Sequence, residues 1–321
     1  MKYRVKHIIE YAFIRAIAGL VNVLPYRLAL FVGWKWAWLA FHVLRFRRAE
    51  ADRRIREVFG DRFAPRERRR IAWLSLRNVM FTAVDIMRTP YITQTQLNKI
   101  SDYEQSIKFL QTHHETGRGG VFALPHMGAW ELPGRAMTLR GISFFSVAGK
   151  QRNPLFDHYL NTTREKSGMP ILMRGASTLK DIIRRLKAGQ MLAILPDVRM
   201  RTEAVKVRFL GKEANIGGGM AMFARHANVP IFPVIVTRVG WDKHVAHVYP
   251  PVWSDPNLDK ESDIQQMSQK VMDIVSEAIM TQPEQWFWYN KRWVLEPVEE
   301  EVSSGERGVR SGESGMERSE P

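Results

Sequence analysis

Cysteine is absent from the 321 residues. That excludes disulfides, thiolate nucleophiles and cysteine-built zinc sites, and it fits a reducing compartment. Uninterrupted apolar runs are short as well. None reaches the roughly eighteen residues that mark a standard spanning helix. Glu10 and Arg15 break the first apolar stretch, so no secretory cleavage pattern is visible either, and Lys35 and His42 interrupt the second, Leu28 to Leu44. Gly217-Gly218-Gly219 lacks the Gly-Lys-Ser/Thr ending of a P-loop and the spacing of a dinucleotide fingerprint. No RNP, helix-turn-helix or zinc pattern and no internal repeat are present. Negative charge is in short supply: 33 Asp and Glu face 48 Lys and Arg, a formal net charge of +15. Such a surplus favours an anionic partner, whether nucleic acid, an anionic membrane, or an acidic protein or phosphorylated substrate.

Aromatic residues are plentiful, with 10 Trp and 16 Phe. Tryptophan favours membrane interfaces, where one end of the ring is wet, so charge and aromatics together favour a membrane over nucleic acid. Residues 1–46 are expected to form hydrophobic helices. Within Leu28 to Leu44, Phe31, Trp34, Trp38 and Phe41 recur at three-four spacing on one face, while Lys35 and His42 share another. That pattern suits a helix in the headgroup zone, a short spanning helix seated in a bundle, or an amphipathic helix covering a core. An arginine-dense region follows, residues 45–73. It would attract anionic headgroups, at about 1 kcal/mol per basic residue near a surface, except where Glu50, Asp52, Glu57 and Glu67 neutralise it. Ile71, Leu74, Asn78 and Phe81 keep a helical rhythm from about residue 65 to 87, and Pro90 ends it.

After a basic helical region over 47–104, which includes the start of a connecting stretch at 91–118, strands and helices alternate. This predicts a three-layer α/β domain over about 105–297. Strands are expected at 121–124, 142–147, 170–173, 191–195, 205–210, 231–237 and 244–249, with helices from about 132, 155, 176, 220 and 258. The tail, 298–321, has almost no apolar residue and is expected to be disordered.

The chemistry gathers at Val121 to Arg135. A short apolar strand stops at Pro125, His126 follows at its carboxyl end, and Glu131 stands where a helix starts. Ligands bind at that end of open α/β sheets. An imidazole takes a proton near neutral pH, and a carboxylate beside it can fix its tautomer. Without a serine in the loop, the nucleophile would be a substrate hydroxyl activated by His126, with Glu131 orienting the ring. The competing reading is a partly buried histidine beside a helix-start glutamate. Asp197 after another strand supplies a second carboxylate for the same cleft. Arg152, Arg164, Arg199 and Arg201 could gather there and fork onto phosphate, though each alone reads equally as a solvated arginine. His113-His114 and His244/His247 lack a carboxylate at metal-site spacing and read as surface or strand-edge residues.

Four blocks in order resemble the lipid A biosynthesis (lauroyl/myristoyl) acyltransferases of the lysophospholipid acyltransferase superfamily. They are His126-Met127-Gly128-Ala129-Trp130-Glu131; Arg152-Asn153-Pro154 with Asp157, Arg164 and Gly168 downstream; Pro196-Asp197 with the 207–211 strand and the glycine-opened helix; and the run from Pro283 to Trp293. The resemblance spans about residues 10–296. It implies an acyltransferase-type mixed sheet flanked by helices, with a membrane-associated helical segment at the amino end. It implies transfer of an acyl chain from acyl carrier protein or acyl-CoA to a hydroxyl of an anionic lipid acceptor, at the cytoplasmic face of the inner membrane. No cofactor, metal or nucleic acid is expected. His126 would be the general base and Glu131 its orienting partner; Arg152, Asn153, Arg164 and Asp197 would shape the site or hold the acceptor. Acyl carrier protein is acidic, so a basic docking face would account for part of the net charge. Backbone amides near the glycines could stabilise an oxyanion. Three departures bear on the acceptor: Arg199 stands where a second acid is common, Asn215-Ile216 replaces a threonine-rich stretch, and Asn290 replaces the closing histidine. The acceptor could therefore be a lysophospholipid, glycolipid or aminolipid instead of a lipid A precursor, and a non-catalytic basic membrane- or nucleic-acid-binding protein is the remaining alternative.

Overall fold

The structure is a computed structural model that describes residues 3–173, 178–200 and 204–297. Arg201 and the tail from 298 lie outside the described residues. Helices α1 (Val5–Val23) and α2 (Tyr26–Trp38) fold back on each other at Leu24-Pro25. Proline disfavours helix at the residue before it, and Leu24 is extended, so α1 stops there. α2 runs on into a π-helical turn, Leu39–Val43, so the helix expected over 28–44 is present in two windings. Among the described residues no helix is long and apolar enough to cross a membrane.

Helix α3 (Arg48–Phe59) leads to α4 (Pro65–Arg88), where Pro65 occupies a position that needs no amide donor and Glu67 accepts from the Ala64 amide at 2.8 Å. Part of the arginine-rich region is tied down here. Arg47 and Arg54 both pair with Glu50, Arg68 pairs with Asp52, and Arg54 also donates to the carbonyls of Trp288 and Asn290, each at 2.8 Å.

The connecting stretch expected at 91–118 proves to be structured. It holds α5 (Gln94–Ile100), a two-residue strand β1 (Ser101–Asp102) and α6 (Glu104–His114). The Thr93 side chain caps α5, and burial of Leu97, Ile107 and Leu110 fixes both helices against the sheet.

The rest alternates: β2 (Gly120–Ala123), α7 (Leu132–Thr138), β3 (Phe144–Ala148), α8 (Pro154–Lys166), β4 (Ile171–Met173), α9 (Thr178–Lys187), β5 (Met191–Ile194), β6 (Ala204–Phe209), β7 (Lys212–Gly217), α10 (Gly219–Ala227), β8 (Ile231–Val239), β9 (Lys243–Val248) and α11 (Lys260–Thr281). Seven strands form one mixed sheet in the order β1-β9-β8-β2-β5-β3-β4. The pairs from β8 through β4 are parallel, and β9 runs antiparallel to β8. Side chains of β2 alternate between two cores. Val121 and Ala123 belong to the core that also holds Leu186, Ala224 and Val275 of α9, α10 and α11, whereas Phe122 and, just past the strand, Leu124 belong to the core that holds Leu110, Leu132 and Ala136 of α6 and α7. Two helical layers thus enclose the sheet, the α/β arrangement expected.

Strand β7 was not anticipated. It pairs with β6 as a hairpin through Leu210-Gly211, both at positive φ, 50° and 79°. Such a turn prefers Asn-Gly, and leucine in that conformation gives no sequence cue.

Candidate active site

Strands β2 and β5 are parallel neighbours with Ala123 opposite Ile194. Each leaves the sheet through Leu-Pro: Leu124-Pro125 and Leu195-Pro196. Three residues past that aligned pair stand His126 on one strand and Asp197 on the other, so register alone sets them side by side. Asp197 is buried, and its Oδ1 accepts from the His126 ring at Nδ1, 2.8 Å away. Its Oδ2 accepts from the His126 backbone amide at 2.8 Å and from the Trp286 indole N–H at 2.8 Å. Burial works to raise the Asp197 pKa. The His126 charge, its hydrogen bonds and the Trp286 donor outweigh burial and hold it below the ordinary carboxylate value. The stability it contributes is present above that ordinary value and is lost as acid takes the pH through the depressed one. With Nδ1–H donated to a carboxylate, Nε2 is left as the basic nitrogen, in a cavity that His126 lines.

This corrects the expected pairing. Glu131 does not orient the imidazole; Asp197 holds that position. Glu131 stands at the start of α7 and takes Arg164 of α8 in a forked ion pair, with Arg164 Nε at 3.1 and 3.3 Å from its two oxygens and Nη2 on Oε1. Burial works to lower the Arg164 pKa, but the Glu131 carboxylate outweighs it and raises it. The pair joins two helices across the same cavity.

The cavity encloses about 1220 Å³, above the usual range of about 300–1,000 Å³ for a single drug-sized ligand. Buried Phe122, Leu124, Phe144, Met169 and Ile182 line its apolar part, and Lys150, Arg152 and Lys291 its exposed part. Gly217, Gly218 and Gly219 also line it. Arg152 is at the cavity. Asn153 is not free to take substrate. Its Oδ1 caps α8 by accepting from Leu155 and Phe156, and its amide donates to the His7 carbonyl and Glu10. Arg199 is drawn away to Glu296 and the Pro297 carbonyl.

The carboxy-terminal run from Pro283 carries a role that residue spacing did not disclose. The Phe287 amide donates to the His126 carbonyl at 3.0 Å, Gly128 donates to the Gln285 carbonyl, and Trp286 anchors Asp197. Trp286, Trp288 and Trp293 of this run pack on one another in edge-to-face and tilted contacts beside the site. Gly128 lets the His126 loop press on β8: its φ is 58°, and a Cβ there would stand 2.3 Å from the Val236 carbonyl oxygen. Gly128→Ala is expected to cost well over about 1 kcal/mol, read as a lower midpoint in denaturant unfolding. Among the described residues no cluster could hold a metal ion.

Residues 1–294 match the family of bacterial lipid A biosynthesis acyltransferases. The chain belongs to that family. It is similar to the lipid A biosynthesis lauroyltransferase of Escherichia coli (strain K12), 25% identical over 288 residues, which cover 88% of this chain and 90% of that protein. It is also similar to a phosphatidylinositol mannoside acyltransferase of Mycolicibacterium smegmatis, 25% identical over 190 residues, 58% of this chain and 60% of that one. A lipid A biosynthesis acyltransferase of Haemophilus influenzae is 25% identical over 202 residues, 61% and 60%. The match thus spans about three fifths of the length of the mannoside and Haemophilus proteins. In this member of the family, His126 and Asp197 form a hydrogen-bonded pair, with His126 lining the larger cavity.

Proposed function

We propose that the protein transfers a fatty acyl chain from a thioester, acyl carrier protein or acyl-CoA, to a hydroxyl of a lipid A precursor at the cytoplasmic face of the inner membrane. The observation that carries this reading is the buried Asp197 on Nδ1, with His126 lining a cavity walled by buried apolar side chains and by exposed cations. His126 Nε2 takes the proton of the acceptor hydroxyl as its oxygen attacks the thioester carbonyl. Asp197 stabilises the imidazolium. The tetrahedral intermediate collapses with cleavage of the carbon–sulfur bond, and the departing thiolate recovers the proton from Nε2, leaving an ester and a free thiol. The apolar part takes the acyl chain, and the cationic part the anionic headgroup or donor. Glu131 and Arg164 position the cavity walls. The basic surface attracts acyl carrier protein.

Membrane attachment rests on α1 and α2, which expose Val5, Ile9, Phe13, Val23, Leu28, Trp36 and Trp38. Exposed apolar area on this scale, with aromatic rings, suits an interfacial helix pair lying in the headgroup layer. Replacing Phe13, Trp36 and Trp38 together with serine should weaken co-sedimentation with phosphatidylglycerol vesicles about tenfold, from the apolar area lost; unchanged sedimentation would overturn the attachment.

Incubating the purified protein with lauroyl- or myristoyl-acyl carrier protein and a tetra-acylated lipid A precursor tests the reaction. Mass spectrometry should show one added acyl chain. Two of the relatives just described are lipid A acyltransferases, but a third carries the name phosphatidylinositol mannoside acyltransferase, which favours a glycolipid acceptor as the second reading. Acylation of such a mannoside, with none of the precursor, would select it.

A further inference from the structure

A second cavity, of about 490 Å³, opens beside the first. Arg4, Lys6, His7, Glu10, Arg152 and Asn153 line it, and Arg152 and Asn153 line both cavities. Three of its six side chains are permanent cations and a fourth is an imidazole. Its one acid, Glu10, is already engaged by the Asn153 amide at 3.0 Å and by Lys6 at 3.8 Å. Among the described residues Arg4 and Arg152 have no carboxylate partner, and both are exposed. One of the two helices that meet here adds to the same field. Arg4 and Asn153 are the residues immediately before α1 and α8, so both helix amino ends adjoin the cavity; that of α8 is capped by Asn153 and carries Asp157 in its first turn, which leaves α1 as the end with a free field. No acid stands in the first turn of α1, and no side chain caps it. Asn153 fixes the geometry, clamping the first turns of α1 to α8 through the His7 carbonyl and Glu10. Two guanidinium groups without carboxylate partners, beside the uncapped amino end of α1, match the charge and forked donor pattern that binds phosphate.

The surroundings say what kind of phosphate. Tyr3, just before α1, and Val5, Ile8 and Ile9 on the face of α1 away from the cavity are exposed. The cavity-lining face of α1 and its exposed apolar face stand back to back on one helix, so a helix lying in the headgroup layer would bring the groove to the level of lipid phosphates, which suits a lipid phosphate better than a free anion. We propose that this groove is a subsite for the phosphate of a lipid headgroup, with the amino-terminal helix supplying Arg4 and Lys6, and Arg152 bridging to the catalytic cavity. This deepens the acceptor assignment made above and rests on it: a phosphate held in the groove would leave the remainder of the headgroup within the neighbouring cavity, which His126 lines.

The test is binding, which does not depend on transfer. The full chain, in zwitterionic detergent, is titrated calorimetrically with dihexanoyl phosphatidic acid below its micelle concentration. Dihexanoyl glycerol, inorganic phosphate and coenzyme A are titrated in parallel. Expected is binding of the lipid phosphate, weaker binding of inorganic phosphate and none of the glycerol lipid. Arg4→Gln and Arg152→Gln should each weaken the lipid three- to tenfold, and together more than tenfold, while Lys270→Gln on α11 leaves it as it was. Lys6→Gln is a further variant if either arginine change lowers the melting temperature. Four results would overturn the subsite: equal binding by the double variant, an equal loss in Lys270→Gln, inorganic phosphate bound as tightly as the lipid, or displacement of the lipid by stoichiometric coenzyme A. Arginine-dependent lipid binding in a protein that acylates neither acceptor would sustain the subsite and sink the proposed reaction alone.

Discussion

His126→Ala should lower acyl transfer by two to four orders of magnitude, the usual contribution of a positioned general base, while thermal unfolding and vesicle binding stay near those of the parent. The ring is part-exposed, and its removal leaves the Asp197 carboxylate with the Trp286 indole and the residue 126 amide as donors. Asp197→Asn probes the same unit through a different atom. Two N–H groups converge on the Oδ2 position, so an asparagine there must place its oxygen toward them and its NH2 toward Nδ1. The imidazole then accepts at Nδ1 and carries its proton on Nε2, where a base is needed. A comparable tautomer error in serine proteases costs about 10⁴-fold, and a loss of similar order is expected here with the fold retained. Nitrogen-15 shifts of the His126 ring would report the switched tautomer directly. Full transfer by purified His126→Ala protein would end the catalytic assignment.

How far this site could be read from the sequence depends on which partner lay nearby in the chain. His126 at a strand end was legible because an apolar strand, a proline and a glycine punctuate one short stretch. Its partner was not. Glu131 stands five residues away and invited pairing, but residue 131 begins α7 and turns toward Arg164. Asp197 is 71 residues away. The signal that would have found it is the repeated Leu-Pro ending of two apolar strands: neighbours in a parallel sheet, in register, must place the next residues together. Long periodic helices such as α4 and α11 were legible, because three-four spacing over five or more turns has few alternatives. The short helices α5 and α6 and the hairpin strand β7 were not, since docking rather than propensity decides elements of that length. His244 shows the same limit. Taken from sequence as a strand-edge residue, it is buried, because its covering groups arrive from α2 and α4, more than 150 positions earlier.

That buried group carries the largest expected effect on stability. Arg238 on β8 and Asp85 on α4 form an ion pair with 0% and 2% of their side chains exposed. Tyr26 on α2 donates to Asp85 at 2.7 Å, and Arg238 donates to the Trp241 carbonyl at 2.8 Å. Since the Tyr26 proton goes to Asp85, its oxygen is left to accept from His244 Nε2–H at 3.0 Å. Four elements, α2, α4, β8 and β9, are joined here, so the amino-terminal helices are tied to the sheet through this polar cluster, while Leu30, Phe81 and Val84 pack α2 and α4 on one another. Asp85→Ala strands a buried guanidinium and should destabilise the protein by about 3–5 kcal/mol, whereas Asp85→Ala combined with Arg238→Leu should recover much of that loss. Denaturant unfolding of the single and double variants separates the two cases: a double variant as unstable as the single one would mean that the charge pair is not what joins these layers. Acid should act on the same place. Burial, then the nearby Arg238 charge, pushes the His244 pKa down to about 4, so between an unfolded value of about 6.5 and that folded value only the unfolded chain takes the proton. Stability therefore falls as pH drops from 6.5 toward 4, and His244→Asn should flatten that part of the curve, because asparagine has nothing to titrate.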